Sequence, residues 1–210
     1  LPILLGVLSC ARLAAQAEPW PDPASVWVSD QELLLDDPYT HGFRSRYWYF
    51  NGLLTDGTTF TLSLFQWRYG ALGGPGLLVV VSEPGGPTLM LERRIDERDF
   101  EESRQRLAVR FGDSELDASR YGCSVHLRLP ELDCDLELRN LLNPWRPGDG
   151  YLRLSPEAYT RHTVLSPFAT VSGHLRVSGR AKDVQGWCYS DRGVVAVPMR
   201  RVNPEEYSFR

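Results

Sequence analysis

Residues 44–66 read RSRYWYFNGLLTDGTTFTLSLFQ. Four consecutive aromatics, Tyr47, Trp48, Tyr49 and Phe50, run into Asn51-Gly52, an apolar pair and then Asp56-Gly57. Asp-Gly flanked by apolar runs is a strong hairpin signal, because both turn positions favour positive φ. Behind it Phe60, Leu62 and Leu64 alternate with Thr59, Thr61 and Ser63. That period of two puts one face on a core and one towards solvent. The stretch therefore predicts a hairpin of strands 46–54 and 58–67. Tyr47 and Tyr49 share one face, Trp48 and Phe50 the other. Being aromatic on both faces suits a strand that packs a core on one side and lines a cavity or second layer on the other.

The pattern continues outward. Apolar or alternating runs predict strands at 77–82, 89–92, 107–112, 123–129, 134–141, 150–154, 170–178, 182–190 and 194–202, separated by Gly/Pro turns such as EPGGP at 83–87. Residues 93–106 are charged and predict at most a short helix, and 143–148 a loop. No window carries a strong helical period. The fold class is all-β, an antiparallel lipocalin-like β-barrel or a β-sandwich. The 210 residues suffice for one domain at 41–210, and the first of two such halves in a longer protein is one organisation this allows.

Composition narrows function. The net charge is −4, with no basic block, so nucleic acid is not an expected partner. Residues 1–17 (LPILLGVLSCARLAAQA) read as the remnant of an export or lipoprotein signal, and 18–40 as a Pro- and Asp-punctuated lead-in. Ala15-Gln16-Ala17 fits the small-residue cleavage rule, while Val7-Leu8-Ser9-Cys10 resembles a lipobox whose Cys10 would carry lipid. The expected location is thus exported, periplasmic or membrane-anchored. In an oxidising compartment Cys123 and Cys134 are either a disulfide or two small buried hydrophobes. No CxxC or Cys/His metal spacing occurs, and no dinucleotide, P-loop, GxSxG or HExxH motif, so neither metal nor cofactor is expected.

Chemistry concentrates in Gly186-Trp187-Cys188-Tyr189-Ser190-Asp191-Arg192-Gly193. On a strand, Tyr189 and Asp191 share a face. A phenol and a carboxyl on an apolar barrel wall make an acid/base pair, because an apolar wall keeps a carboxyl protonated. The plain alternative is an outward strand end with an Asp-Arg-Gly turn. His162 is a lone histidine for which a structural role is the default; His126 and His174 lie out of the apolar phase and read as solvent-facing.

Three motifs carry a resemblance. Tyr47-Trp48-Tyr49-Phe50-Asn51-Gly52 with its Asp-Gly turn resembles the WWYF-(D/N)-(G/A)-x-L hairpin of a lipocalin-like superfamily. That group includes carotenoid 1,2-hydratases (hydroxyneurosporene synthases), AttH-like proteins, fungal Diels–Alderases and the yeast survival-factor type. Leu165 to Val171 is similar to its W-x-P-x-A-x-V strand, and Tyr189 to Met199 to its GYHDHNWGxxPM segment. The resemblance implies an acid in an apolar cavity that protonates a terminal isoprenoid double bond, with water capturing the tertiary cation. It implies Asp191 as proton donor, Tyr189 as cation stabiliser and His162 as orienter. Tyr47, Trp48, Tyr49, Phe50, Trp67 and Trp187 would be aromatic walls for an apolar substrate, and a second lipocalin-like half would be a partner of the site. Two departures stand out. Val164 replaces the family's Trp, and Arg192-Gly193 replaces its His-Asn; an Arg192 that reached Asp191 would hold the carboxyl ionised. The alternative from another class is a non-catalytic carrier of a hydrophobic ligand, and a third is a purely structural β-domain.

Overall fold

The computed structural model describes residues 25–27, 42–103, 105–155 and 158–197. Residues 1–24 with Cys10, residues 28–41 with His41 and the chain beyond residue 197 lie outside them. Fourteen strands form one antiparallel sheet. They are β1 (Ser25–Trp27), β2 (Phe43–Leu54), β3 (Thr59–Tyr69), β4 (Leu72–Ser82), β5 (Thr88–Arg94), β6 (Phe100–Glu102), β7 (Leu107–Phe111), β8 (Ser114–Ser119), β9 (Gly122–Arg128), β10 (Leu132–Asn140), β11 (Trp145–Pro147), β12 (Tyr151–Ser155), β13 (Ala158–Val177) and β14 (Arg180–Val197). The main path is β5-β4-β3-β2-β14-β13-β10-β9-β8-β7-β6, with β11 and β12 paired to the first half of β13 and β1 to β11.

Curling follows from connectivity. The two ends of that eleven-strand path, β5 and β6, are joined by residues 95–99 alone. Five residues span at most about 18 Å, so the sheet must bend round until its edges approach. Contacts across the interior agree: Trp48 on β2 meets Phe100 on β6 with ring centroids 6.4 Å apart. Glu102 on β6 accepts from Arg46 at 2.7 Å and Arg192 at 2.6 Å. The result is a lipocalin-like half-barrel.

The hairpin at Asp56-Gly57 forms as the sequence implies, with Gly57 at φ 84° and Asp56 accepting from the Thr58 amide. Trp48, Phe50, Leu62, Leu64, Leu77 and Val79 fill the inner face and are almost wholly buried. Gly52 admits the Phe60 ring: a Cβ there would lie 2.1 Å from it. The interior cavity lined by Phe50, Phe60, Leu62, Val125 and Leu136 holds only about 20 Å³. Drug-sized ligands need about 300–1,000 Å³, so this interior is a packed core.

Three expectations are corrected. Residues 93–106 contain no α-helix among those described; a 3₁₀ turn at Glu97–Asp99, capped by Asp96, leads from the end of β5 into β6. Asp191-Arg192-Gly193 is not a turn, because β14 runs unbroken through it, in continuous register with β2 from Gly186↔Leu54 to Val197↔Phe43. The segment 158–169 is strand as well, and β13 accommodates Pro167 through register shifts between Val164 and Ser166 and between Ser166 and Ala169. Bulges are where a strand tolerates a residue with no amide hydrogen. The thiols of Cys123, Cys134 and Cys188 are free and buried. Cys123 stands opposite Leu138 and Cys134 opposite Leu127, so register keeps the first two apart.

Candidate functional site

Register decides which side chains meet. Directly opposed residues share a face, and β13, β14 and β2 lie side by side. One row runs His162, Gly193, Tyr47, Phe65 across β13, β14, β2 and β3. The next runs Trp145, Val164, Asp191, Tyr49, Ser63, starting on β11. A third pairs Tyr189 with Asn51 and Thr61, and a fourth brings Trp187 beside Leu53. Trp67, opposite Ser45, belongs to the same face. This face is the outer one. His162, Tyr189, Asp191, Tyr47, Tyr49, Trp67 and Trp187 are therefore brought to one side of the sheet. Trp48 and Phe50 are not: they sit on the inner face, 0% and 1% exposed. The site lies on the outside of the barrel wall, not in its lumen, because Arg192, Ser190 and Cys188 take the inward positions of β14.

Alternation also separates Arg192 from the carboxyl next to it in sequence. The Arg192 guanidinium lies 5.0 Å over the Trp48 ring and bonds Glu102 at 2.6 Å. Burial lowers its pKa to about 10, against the raising influence of Glu102, so the side chain remains a cation at neutral pH. Its charge serves the inner network.

Asp191 is 7% exposed. Burial pushes its carboxyl pKa above the usual range; the charge of His162 and hydrogen bonds from Tyr189 and Tyr47 oppose that. Its Oδ1 is buried and has no hydrogen-bond partner. The His162 Nδ1 stands 4.0 Å from that oxygen, too far for a hydrogen bond, but 3.2 Å from the Tyr47 hydroxyl. The Tyr189 phenol is pushed strongly up by burial and then by the neighbouring Asp191 charge, so it stays neutral. The Asn51 amide donates to the Tyr49 hydroxyl at 3.3 Å and to Thr61 at 3.0 Å, which holds Tyr49 beside the carboxyl. The arrangement leaves one carboxyl oxygen without a partner, flanked by an imidazole and two phenols.

Sequence reading missed Trp145, taken for a loop residue. It sits on β11 opposite Val164, so an indole stands in the row of Asp191 at one strand's remove from the valine. It missed Phe65, opposite Tyr47, and Gly193 between Tyr47 and His162; no local motif marks either, since both matter only through register. Trp145 and Trp187 are 37% and 44% exposed. A separate open depression of about 610 Å³, lined by Asp117, Ser124, Glu137, Arg139 and Ser172, is polar and contains none of these residues. Among the described residues, no three His, Cys, Asp or Glu side chains are grouped to hold a metal ion.

No family model matches the sequence, and no curated protein matches it. Solved structures do. A protein described as AttH from Nitrosomonas europaea superposes with a TM-score of 0.61 at 17% identity over 77% of this chain and 54% of that one. CghA, crystallised with Sch210972, gives 0.54 at 16% over 81% and 55%. Kievitone hydratase from Nectria haematococca gives 0.53 at 12% over 81% and 52%. This chain thus spans about half the length of each. The likeness establishes the fold alone, a lipocalin-like half-barrel shared with these three structures.

Proposed function

We propose that the chain carries a hydratase-like acid site that acts on an isoprenoid or other apolar alkene. The observation that carries the reading is the Asp191 carboxyl, buried, shifted towards its protonated form and flanked by His162, Tyr47 and Tyr189 with its Oδ1 unpartnered. The Asp191 proton passes to the less substituted carbon of the terminal double bond and the π electrons form the new C–H bond, leaving a tertiary cation and a carboxylate. Water adds its oxygen to the cation and gives up a proton, which restores the acid. Tyr49 and Tyr189, on the same face as Asp191, lie close to the developing cation, and Trp145 and Trp187 flank them; a well-placed ring contributes about 0.5–2 kcal/mol to such stabilisation. Kievitone hydratase, one of the structural neighbours, is a hydratase by name, which supports the reaction class.

The site lies on an open face rimmed by partly exposed aromatics, and the structural neighbours are about twice as long. The proposal therefore includes further β-structure, a second lipocalin-like half, that closes over the outer face and excludes water. A carrier holding its ligand inside the barrel does not fit an interior cavity of about 20 Å³. Export and lipid anchoring through Cys10 belong to the same proposal and would place the site next to membrane-dissolved substrates.

The test is incubation of the protein with acyclic polyenes bearing a terminal isoprenyl group in ¹⁸O-labelled water. Labelled tertiary alcohol, absent with Asp191→Asn, is expected. Equal product from that variant, or polyene bound and returned unchanged, refutes the hydratase reading; the second outcome marks a carrier.

A further inference from the structure

Tyr47, Gly193 and His162 occupy one row across β2, β14 and β13. Adjacent strands are about 4.8 Å apart, so the first and third lie roughly 9.6 Å from one another. The Tyr47 ring bridges that gap by lying across the middle strand. It can do so only because residue 193 has no side chain: a Cβ there would come within 2.5 Å of both the Tyr47 Cζ and its hydroxyl. The hydroxyl then reaches the His162 Nδ1 at 3.2 Å and lies near enough to the Asp191 carboxyl to lower its pKa, while the imidazole and Asp191 Oδ1 remain 4.0 Å apart. The phenol is thus hydrogen-bonded to the imidazole and near enough to the carboxyl to act on its charge.

We infer that Tyr47 is the proton bridge between His162 and Asp191, and that Gly193 is the positioning residue that opens the space for it. This deepens the hydratase reading and rests on it for its chemical use. In the water-addition step His162 Nε2 takes the proton that the attacking water loses. The Nδ1 proton passes to the Tyr47 oxygen, and the Tyr47 hydroxyl proton passes to the Asp191 carboxylate. Three O–H or N–H bonds break and three form. The imidazole and phenol end neutral, with the imidazole hydrogen moved from one nitrogen to the other, and the acid is recharged without the carboxylate meeting bulk water. The imidazole then returns to its starting tautomer by exchange with solvent. The bridge requires His162 to carry its resting hydrogen on Nδ1, donating to the Tyr47 oxygen, and the Tyr47 hydroxyl to donate to Asp191.

That requirement is measurable without substrate. Imidazole-¹⁵N NMR on the full chain, with His162 assigned by its loss in His162→Gln, reports the tautomer and the exchange of the Nδ1 proton with water. In the unsubstituted protein the Nδ1–H form is expected. Tyr47→Phe removes only the oxygen; the Nδ1–H form should give way to Nε2–H and any remaining Nδ1 proton should exchange about tenfold faster, the equilibrium worth of one ordinary hydrogen bond. Gly193→Ala should produce the same change with Tyr47 still present. An Nδ1–H form that persists unchanged in Tyr47→Phe overturns the bridge, whether or not Gly193→Ala folds. Since no alkene is added, the outcome bears on the bridge alone, and the labelled-water assay bears on the reaction.

Discussion

Replacing Asp191 by Asn should make the protein more stable at alkaline pH while abolishing the proposed chemistry. The carboxyl is 7% exposed, and burial is the dominant influence on it, ahead of the attraction of His162 and the hydrogen bonds from Tyr189 and Tyr47. A carboxyl pKa raised by folding means that the native state binds the proton more tightly than the unfolded chain. Its contribution is then fully favourable below the unfolded value of 3.8 and is lost progressively as pH rises through the folded value. At pH 8 the native state bears the cost of a buried charge. Burying a polar group without full compensation costs about 1–3 kcal/mol in mutational data. The two phenols continue to donate to an Asn carbonyl, so most of their hydrogen bonding survives. A gain of about 1–2 kcal/mol is expected for Asp191→Asn at pH 8, or about 2–8 °C in Tm for a chain of this size. Below pH 3.8 the gain should vanish. Urea titrations of both proteins at pH 8 and pH 3.5 measure it. A less stable Asn variant at pH 8, or a difference that does not change with pH, would refute the claim that this carboxyl is held against its charge.

Two further outcomes follow from charges and thiols elsewhere. Lys182, the chain's single lysine, bonds Asp56 at 2.7 Å and Glu83 at 2.9 Å, and it is the first cause of both carboxyl pKa values being lowered, Asp56 to about 2. Acids depressed in this way stabilise the fold above their unfolded values and lose that contribution as pH falls. Lys182→Met should therefore cost about 0.5–1 kcal/mol at pH 7, given the partial exposure of the pair, and should flatten acid unfolding between pH 4.5 and 2. Cys123, Cys134 and Cys188 are buried, which pushes their thiols up to about 11, 12 and 12. A thiol reagent at pH 8 should leave these three unmodified until denaturant is added and then modify all of them; a Cys123–Cys134 disulfide would show as two missing.

The hairpin was legible because its signal is local. Asp56-Gly57 sets the turn and the alternation of Phe60, Leu62 and Leu64 sets the inner face, and neither depends on distant chain. The long β13 was only half legible. Its first part, AYTRHTVLSPF, carries Pro167 and no clean alternation, and it becomes strand through pairing with β11, β12 and β14 that no window of sequence contains. Trp145 was hidden for the same reason: a three-residue strand that follows Pro144 and ends on Pro147 has no periodicity to read, and its place beside Val164 exists only as register. The Asp-Arg-Gly triplet misled in a different way. Its composition is that of a turn, yet Gly193 is needed mid-strand to let a neighbouring ring lie across it.

The same triplet shows why face matters more than proximity in sequence. Arg192 and Asp191 are covalent neighbours, and an exposed pair in a loop would neutralise each other. Within a strand, consecutive side chains point to opposite sides of the sheet, so β14 delivers the guanidinium to Trp48 and Glu102 on the inside and the carboxyl to Tyr47, Tyr189 and His162 on the outside. The cation stabilises the barrel wall from within, where its desolvation is offset by Glu102 and an aromatic face. The acid is left on the other side with phenols and one imidazole. A slip of one residue in the β2–β14 register would exchange the two, burying the carboxyl against Trp48 and setting Arg192 among the tyrosines. The twelve paired positions from Gly186↔Leu54 to Val197↔Phe43 hold that register. The aromatic stretch at 47–50 therefore has two duties: Trp48 and Phe50 anchor the strand in the core, and that anchoring keeps Tyr47 and Tyr49 on the face of the acid.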